Sequence, residues 1–371
     1  MAVYTKISKT DLSYINQNFD VENFKNFKGI KQGIENTNYL LKSKNKKFIL
    51  TIFEKRVLKK EIPFFMKLMD ELSNLNLNCP KPIKNRKGHF IIKLKGKSAC
   101  VVTFLKGKDK KKLNYKNCFD VGKMIASMHL STKKIKLFRK NSMSIKNLNP
   151  LLKSIKFKSK KFRNIEKFLK SNFKDIKKKW PNKLPSGIIH GDLFIDNIFF
   201  KNNKLSGIID FYFAANDYFM YEIAICVNAL CFDRKKSKFF INKKKVKNLI
   251  KGYESIKKIS SANSILFALF HSIFSICCLF NNPNCFASLY FIGDLASVIA
   301  GLLSKFSQPS VGVLPHPILT FRPIALSYLH PTLPSTLKQK RQTLCCFQSN
   351  SILVISSFKN VRKYIFCNGI F

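Results

Sequence analysis

Short apolar runs broken by polar or glycine-bearing turns dominate the first 105 residues. Phe24–Gly29, Asn38–Lys42 and Phe48–Phe53 have the composition and length of strands. Over residues 61–75 the period changes: Phe64, Phe65, Leu68, Met69, Leu72 and Leu75 recur at helical spacing. Pro80 and Pro82 end that helix, and two further strands are expected at Phe90–Leu94 and Ala99–Phe104. Three strands, one helix and two strands make a five-stranded antiparallel sheet with a single packed helix.

From Lys106 the pattern turns helical. Val121, Met124, Ile125, Met128 and His129 mark one amphipathic face, and residues 163–180 suggest a second helix. Two short strands, Ile198–Phe200 and Leu205–Asp210, interrupt the helices. Helical spacing resumes at Asp217–Cys231 and Lys245–Ile256.

The pattern breaks near residue 260. Residues 1–260 hold 60 of the 68 basic and 19 of the 20 acidic residues; the remainder has one acid, Asp294, but 7 of the 13 prolines and 6 of the 11 cysteines. A soluble surface mixes charges of both signs, which this stretch cannot do. The expected organisation is therefore 1–105, 106–260 and an atypical, poorly ordered tail at 261–371 arising from a frame change or chimeric join. A membrane hairpin over residues 264–303 is the rival, weakened by a first segment at the lower length limit for spanning and by Asp294 in the second.

The net charge of +48 comes from 60 Lys and only 8 Arg. Base-reading proteins lean on the arginine fork, so a lysine excess speaks for compositional bias or non-specific phosphate attraction, and no specific nucleic-acid partner is expected. The cysteines contain no C-x-x-C and no finger-spaced His, so they are read as reduced, apolar thiols. MAVYTKISKTDLSYINQNF has no apolar core or cleavage site of a secretory signal, which points to the cytoplasm.

The chemistry is concentrated in G-I-I-H-G-D-L-F-I-D-N-I-F-F-K-N-N-K-L-S-G-I-I-D, residues 187–210. Asp192 and Asn197 have the Asp-x-x-x-x-Asn spacing of a kinase catalytic loop, and Asp210 follows one β-hairpin later. Asp192 suits the proton acceptor for an attacking hydroxyl. Asn197 and Asp210 offer the hard oxygens that Mg²⁺ takes alongside phosphate. A lone D-x-x-x-x-N is an ordinary polar loop; here the apolar run before His190, the hairpin and the terminal Asp occur with it.

H-G-D-L-F-I-D-N resembles the signature of the aminoglycoside-phosphotransferase-like kinases, and more closely that of their homoserine kinases. The resemblance extends through M-A-V-Y-T, F-K-G-I-K-Q-G-I-E-N-T-N-Y-L-L at 27–41, F-I-L-T-I-F-E-K-R at 48–56, P-F-F at 63–65, L-S-G-I-I-D-F-Y-F-A at 205–214 and Y-E-I-A-I-C-V-N-A-L-C-F at 221–232, covering roughly residues 1–260. It implies a bilobal α+β protein-kinase-like fold with ATP and Mg²⁺ in the cleft and a mainly helical second lobe. It implies transfer of the ATP γ-phosphoryl group to L-homoserine, in threonine biosynthesis. A choline- or aminoglycoside-directed kinase and a degenerate, non-catalytic kinase fold are the alternatives.

By the same resemblance His190 joins Asp192 as a catalytic residue, and Gly29 and Gly33 flank a phosphate-covering turn. Val102 and Phe104 lie on the adenine hinge. Thr51 stands where kinases place a strand lysine, and Glu61 fits the helix glutamate that such a lysine pairs with. Lys55 or Arg56 could reach the phosphates instead. Asp217, Tyr221 and Glu222 are candidates for holding the acceptor; for each, a helix-terminal acid or a brace for the catalytic loop is the plainer role.

Overall fold

The structure, a computed structural model, describes residues 3–31, 35–54, 56–147, 150, 170, 171, 173, 174, 177, 178, 180, 183–235 and 238–259. The helix expected over 163–180 lies largely outside them. So do Gly33, Lys55 and the tail from 261, including the candidate membrane hairpin.

Five strands form the N-terminal sheet: β1 (Asn26–Gly29), β2 (Thr37–Lys42), β3 (Lys47–Ile52), β4 (Ile91–Leu94) and β5 (Lys97–Thr103). They are antiparallel in the order β1-β2-β3-β5-β4. Register fixes which face each side chain takes, because successive residues alternate. Tyr39, Leu41, Leu50, Ile52, Ala99 and Val101 face one core, which helix α1 (Lys9–Asn18) covers with Leu12 and Ile15. Thr51, paired with Asn38 and Cys100, falls on the opposite face.

Helix α1 was not expected from the sequence, which reads weakly amphipathic there. Its signal is local: Ser8 accepts from the Asp11 N–H at 3.2 Å, and Asp11 accepts from the Ser8 N–H at 2.8 Å, a reciprocal cap. The expected sheet helix appears as α2 (Ile62–Asn74), with Phe65, Met66, Leu68, Met69 and Leu72 buried on one stripe. Glu61 sits just ahead of it, in a single 3-10 turn.

Helix α3 (Tyr115–Thr132) opens the helical lobe, capped by Asn114. The catalytic-loop strand β6 (Ser186–Ile189) pairs with β9 (Ala215–Tyr218), and β7 (Ile198–Lys201) with β8 (Lys204–Ile208). Helices α4 (Phe219–Leu230) and α5 (Lys243–Glu254) complete the lobe, with β10 (Phe232–Lys235) and β11 (Lys238–Ile241) paired between them. The sequence pattern showed β7, β8, α3, α4 and α5; it missed the short pairs β6–β9 and β10–β11.

Cys79, Cys100, Cys118, Cys226 and Cys231 are buried thiols. Burial pushes Cys79 and Cys100 up to about 12, which keeps them protonated and unreactive. Among the described residues, no helix is long and apolar enough to cross a membrane.

Candidate active site

The loop between β6 and β7 carries His190, Asp192 and Asn197. Gly191 lets the chain turn there: its φ is +76°, and a Cβ would come within 3.0 Å of the Phe213 carbonyl oxygen. The loop then folds back on itself. Phe194 N–H donates to the Asp192 carbonyl at 2.9 Å, and Asn197 N–H to the Phe194 carbonyl at 3.0 Å.

Asp192 is 2% exposed. Asn197 donates Nδ2 to both the Asp192 carbonyl (2.7 Å) and its Oδ2 (3.0 Å). With both amide protons directed to Asp192, the Asn197 Oδ1 is the group left to meet a cation. One side chain thus orients the carboxylate and presents an oxygen beside it.

Asp210 is brought to the same place by its neighbour. Ile209 N–H donates to the Asn197 carbonyl (3.0 Å), and the Ile209 carbonyl accepts from His190 Nε2 (2.9 Å). The peptide before Asp210 is therefore bound at both ends to the catalytic loop. Asp210 itself has φ 66°, in the left-handed region that Asp tolerates better than most residues. Strained backbone of this kind collects at functional sites, where the surroundings over-determine it.

His190, expected as a catalytic residue beside Asp192, lies under the loop. It is fully buried, its ring lies 4.6 Å from Phe211, and its Nδ1 accepts from the Asp192 N–H at 3.3 Å. The ring joins Asp192 to the segment before Asp210. Its two ring nitrogens thus contact the backbone beside both carboxylates.

Glu222 is also fully buried, beneath the loop. Its carboxylate accepts from the N–H groups of His190 (2.5 Å) and Gly191 (2.9 Å), and His129 Nε2 faces it at 3.6 Å. Burial raises such a carboxyl, but here His129 and the loop groups outweigh it and hold it below its ordinary value. Burial lowers His129 against the opposing pull of Glu222, and Tyr253 bonds its Nδ1 at 2.9 Å. Glu222 has no accessible surface for an acceptor and serves as the loop's brace. Glu222→Ala should lower stability by about 3–5 kcal/mol, since two backbone amides are left buried without acceptors. The urea midpoint checks this, and an unchanged midpoint would contradict it.

The other acceptor candidates lie on β9 and α4. Asp217 accepts from Asn141 Nδ2 (2.6 Å) and from the Tyr218 N–H (2.7 Å), and burial raises its carboxyl. The Tyr221 hydroxyl donates to the Met143 carbonyl at 3.2 Å. Both therefore attach to the 139–147 segment.

Gly29 ends β1 in an ordinary extended conformation. Its missing side chain makes room for the N-terminal segment, since a Cβ would lie 2.9 Å from Val3 Cγ2. Val102 is buried in the sheet opposite Ile49. The Phe104 N–H turns to the Lys47 carbonyl (3.3 Å), which leaves any base contact at that residue to its own carbonyl.

Thr51 does not stand in for a lysine. Its hydroxyl donates to Asn38 Oδ1 at 2.8 Å and lies in hydrogen-bond reach of Tyr212, two residues after Asp210. Arg56 is ion-paired with Glu35, with its guanidinium 3.6 Å over the Phe213 ring. The partner of Glu61 is Arg139, which the sequence did not single out. Its Nη2 donates to Glu61 Oε2 at 3.1 Å, and its Nε lies 3.1 Å from Oε1 as an ion pair.

Among the described residues, no group of three or more His, Cys, Asp or Glu side chains could hold a metal alone. Mg²⁺ takes hard oxygens, from one or two carboxylates with phosphate oxygens and water. The oxygen-only chemistry of Asn197 and Asp210 suits that hard cation.

Residues 26–242 match the model of the phosphotransferase enzyme family. The chain is 38% identical over 265 residues to a homoserine kinase of Brucella anthropi, covering 71% of this chain and 80% of the relative. It is 39% identical over 264 residues to a homoserine kinase of Bradyrhizobium diazoefficiens, covering 71% and 80%. Among solved structures it is similar to the amicoumacin kinase hAmiN in complex with AMP-PNP, Ca²⁺ and Ami: TM-score 0.59 and 14% identity, over 81% of this chain and 94% of that one. A choline kinase from Cryptosporidium parvum gives a TM-score of 0.52 at 15% identity, over 80% and 95%. At these identities the structural likenesses establish the bilobal kinase-like fold.

Proposed function

The chain belongs to the phosphotransferase enzyme family and is a kinase, and we propose that it transfers the γ-phosphoryl group of ATP to the side-chain hydroxyl of L-homoserine. The observation that carries the acceptor is the name shared by its relatives, homoserine kinase, over four-fifths of their own length. The product, O-phospho-L-homoserine, would serve threonine biosynthesis, and a small-molecule enzyme of this kind would work in the cytoplasm.

Asp192 is the group that receives the hydroxyl proton. Its carboxylate is held by Asn197 Nδ2 and its backbone by His190, so its direction is set before the acceptor arrives. Asn197 and Asp210 would hold Mg²⁺, which when bound neutralises charge on the transferred phosphoryl group. His190 keeps Asp192 and Asp210 in register through the Ile209 peptide, and Glu222 fixes the loop's backbone from below. Phosphoryl transfer asks mainly for such positioning and charge neutralisation.

Homoserine presents an ammonium and a carboxylate besides its hydroxyl, so its pocket needs sites of both signs. Asp217 is the candidate for the ammonium, with Tyr221 beside it on the 139–147 segment. ATP consumption should be compared across L-homoserine, choline and an aminoglycoside. L-Homoserine should lead in kcat/KM by about tenfold or more, the scale at which a site built to bond a polar group begins to discriminate. A higher kcat/KM for either rival would overturn this acceptor.

A further inference from the structure

We propose that Arg139 is a positioning residue that makes Mg²⁺-dependent nucleotide binding conditional on the docking of α2. The proposal rests on the Mg-ATP chemistry above and is independent of the acceptor.

Three kinds of contact converge on this side chain. Nη2 donates to Glu61 Oε2 at 3.1 Å, and Nε faces Oε1 at 3.1 Å as an ion pair, at the entrance to α2. Nη1 donates to the Ala214 carbonyl at 3.1 Å, and Ala214 N–H closes a turn onto the Phe211 carbonyl at 2.9 Å, directly after Asp210. The guanidinium also lies 5.0 Å from the Phe65 ring of α2. The backbone completes the device: Arg139 N–H donates to Asn216 Oδ1 and the Arg139 carbonyl accepts from the Asn216 N–H, both at 2.8 Å. One residue thus ties the start of α2 to both ends of 214–216.

In kinases with a strand lysine, that lysine pairs with the helix glutamate and so reports the helix position to the phosphates. Here the strand position is Thr51, bonded to Asn38, and the glutamate is taken from the other lobe. Moving α2 out would release the turn behind Asp210. Composition gives separate support: with 60 Lys and 8 Arg, the chain's habit is lysine. An arginine stands at 139, where two planar donors serve different partners, Glu61 and the Ala214 carbonyl, while the charge faces the Glu61 carboxylate; lysine cannot supply that geometry.

The test is calorimetric ATP affinity with and without Mg²⁺, for the unaltered protein, Arg139→Ala, Arg139→Lys, Glu61→Gln and the Arg139→Ala/Glu61→Gln double variant. Mg²⁺ should tighten ATP binding by the unaltered protein. Each single variant should lose about tenfold of that tightening, the scale for removing outer partners of a metal ligand, with metal-free ATP binding unchanged. Arg139→Lys should resemble Arg139→Ala, and the double variant should be no worse than the poorer single, because the two act as one unit. Glu61→Gln, on a partly exposed side chain, keeps the test independent of folding losses. Mg²⁺ tightening that survives in Arg139→Ala and Glu61→Gln overturns the proposal, as does an equal fall with and without metal. An unaltered protein that binds no ATP overturns this proposal and the Mg-ATP function together. One that binds Mg-ATP but leaves homoserine unmodified overturns only the acceptor.

Discussion

Asp192→Asn should lower turnover by roughly 10²–10⁴, the usual contribution of a general base, while ATP affinity changes little. The substitution keeps shape and removes only the ability to take a proton. Its surroundings permit this: the side chain is 2% exposed and accepts Asn197 Nδ2 at 3.0 Å, a bond the new amide can retain through its oxygen. The groups assigned to Mg-ATP, Asn197 and Asp210, are untouched. Steady-state kcat with a parallel ATP titration separates the two effects. Equal turnover would remove Asp192 from the mechanism, and a large loss of ATP affinity would make it a binding residue.

Asp210→Ala should bring Mg²⁺-dependent activity to background and weaken Mg-ATP binding. It removes the one carboxylate assigned to the cation beside the phosphates. Alanine at φ 66° also adds backbone strain of about 1–3 kcal/mol. Asp210→Asn is therefore the companion: it tolerates that backbone and still lacks the charge. Both variants should bind ATP similarly without Mg²⁺ and fail to gain affinity when it is added. Undiminished Mg-ATP affinity in a calorimetric titration would count against Asp210 as a metal ligand.

What the sequence showed and what it hid follow from how far each signal reaches along the chain. The sheet, α2 and the β7–β8 hairpin were legible because alternation, helical period and turn residues are local. Asp192, Asn197 and Asp210 were legible for the same reason: the loop and hairpin that join them are short. Helix α1 was missed because its apolar face is narrow, although Ser8 and Asp11 carried its cap. Strands β6 and β9 pair at separations of 26 to 32 residues, Gly187 with Asp217 at 30, so neither announces the other.

The roles of buried polar residues were hidden more thoroughly. His190 stands next to Asp192 in sequence and looks catalytic; its bond to the Ile209 carbonyl, 19 residues on, has no local signal. Glu222 read either as an acid for an acceptor or, more plainly, as a brace for the loop; the N–H groups it receives lie 32 and 31 residues earlier. Arg139 lies 78 residues from Glu61, in a segment with no motif. Its one sequence signal was an arginine where this chain's habit is lysine.

The most direct measurement of the central claim is identification of the product. The purified protein is incubated with ATP, Mg²⁺ and L-homoserine, and ADP and phosphorylated acceptor are quantified by ³¹P NMR and mass spectrometry. The expected result is O-phospho-L-homoserine formed one-for-one with ADP, abolished by chelating the metal and by Asp192→Asn. ADP formed without phosphohomoserine, or no ADP at all, would contradict it.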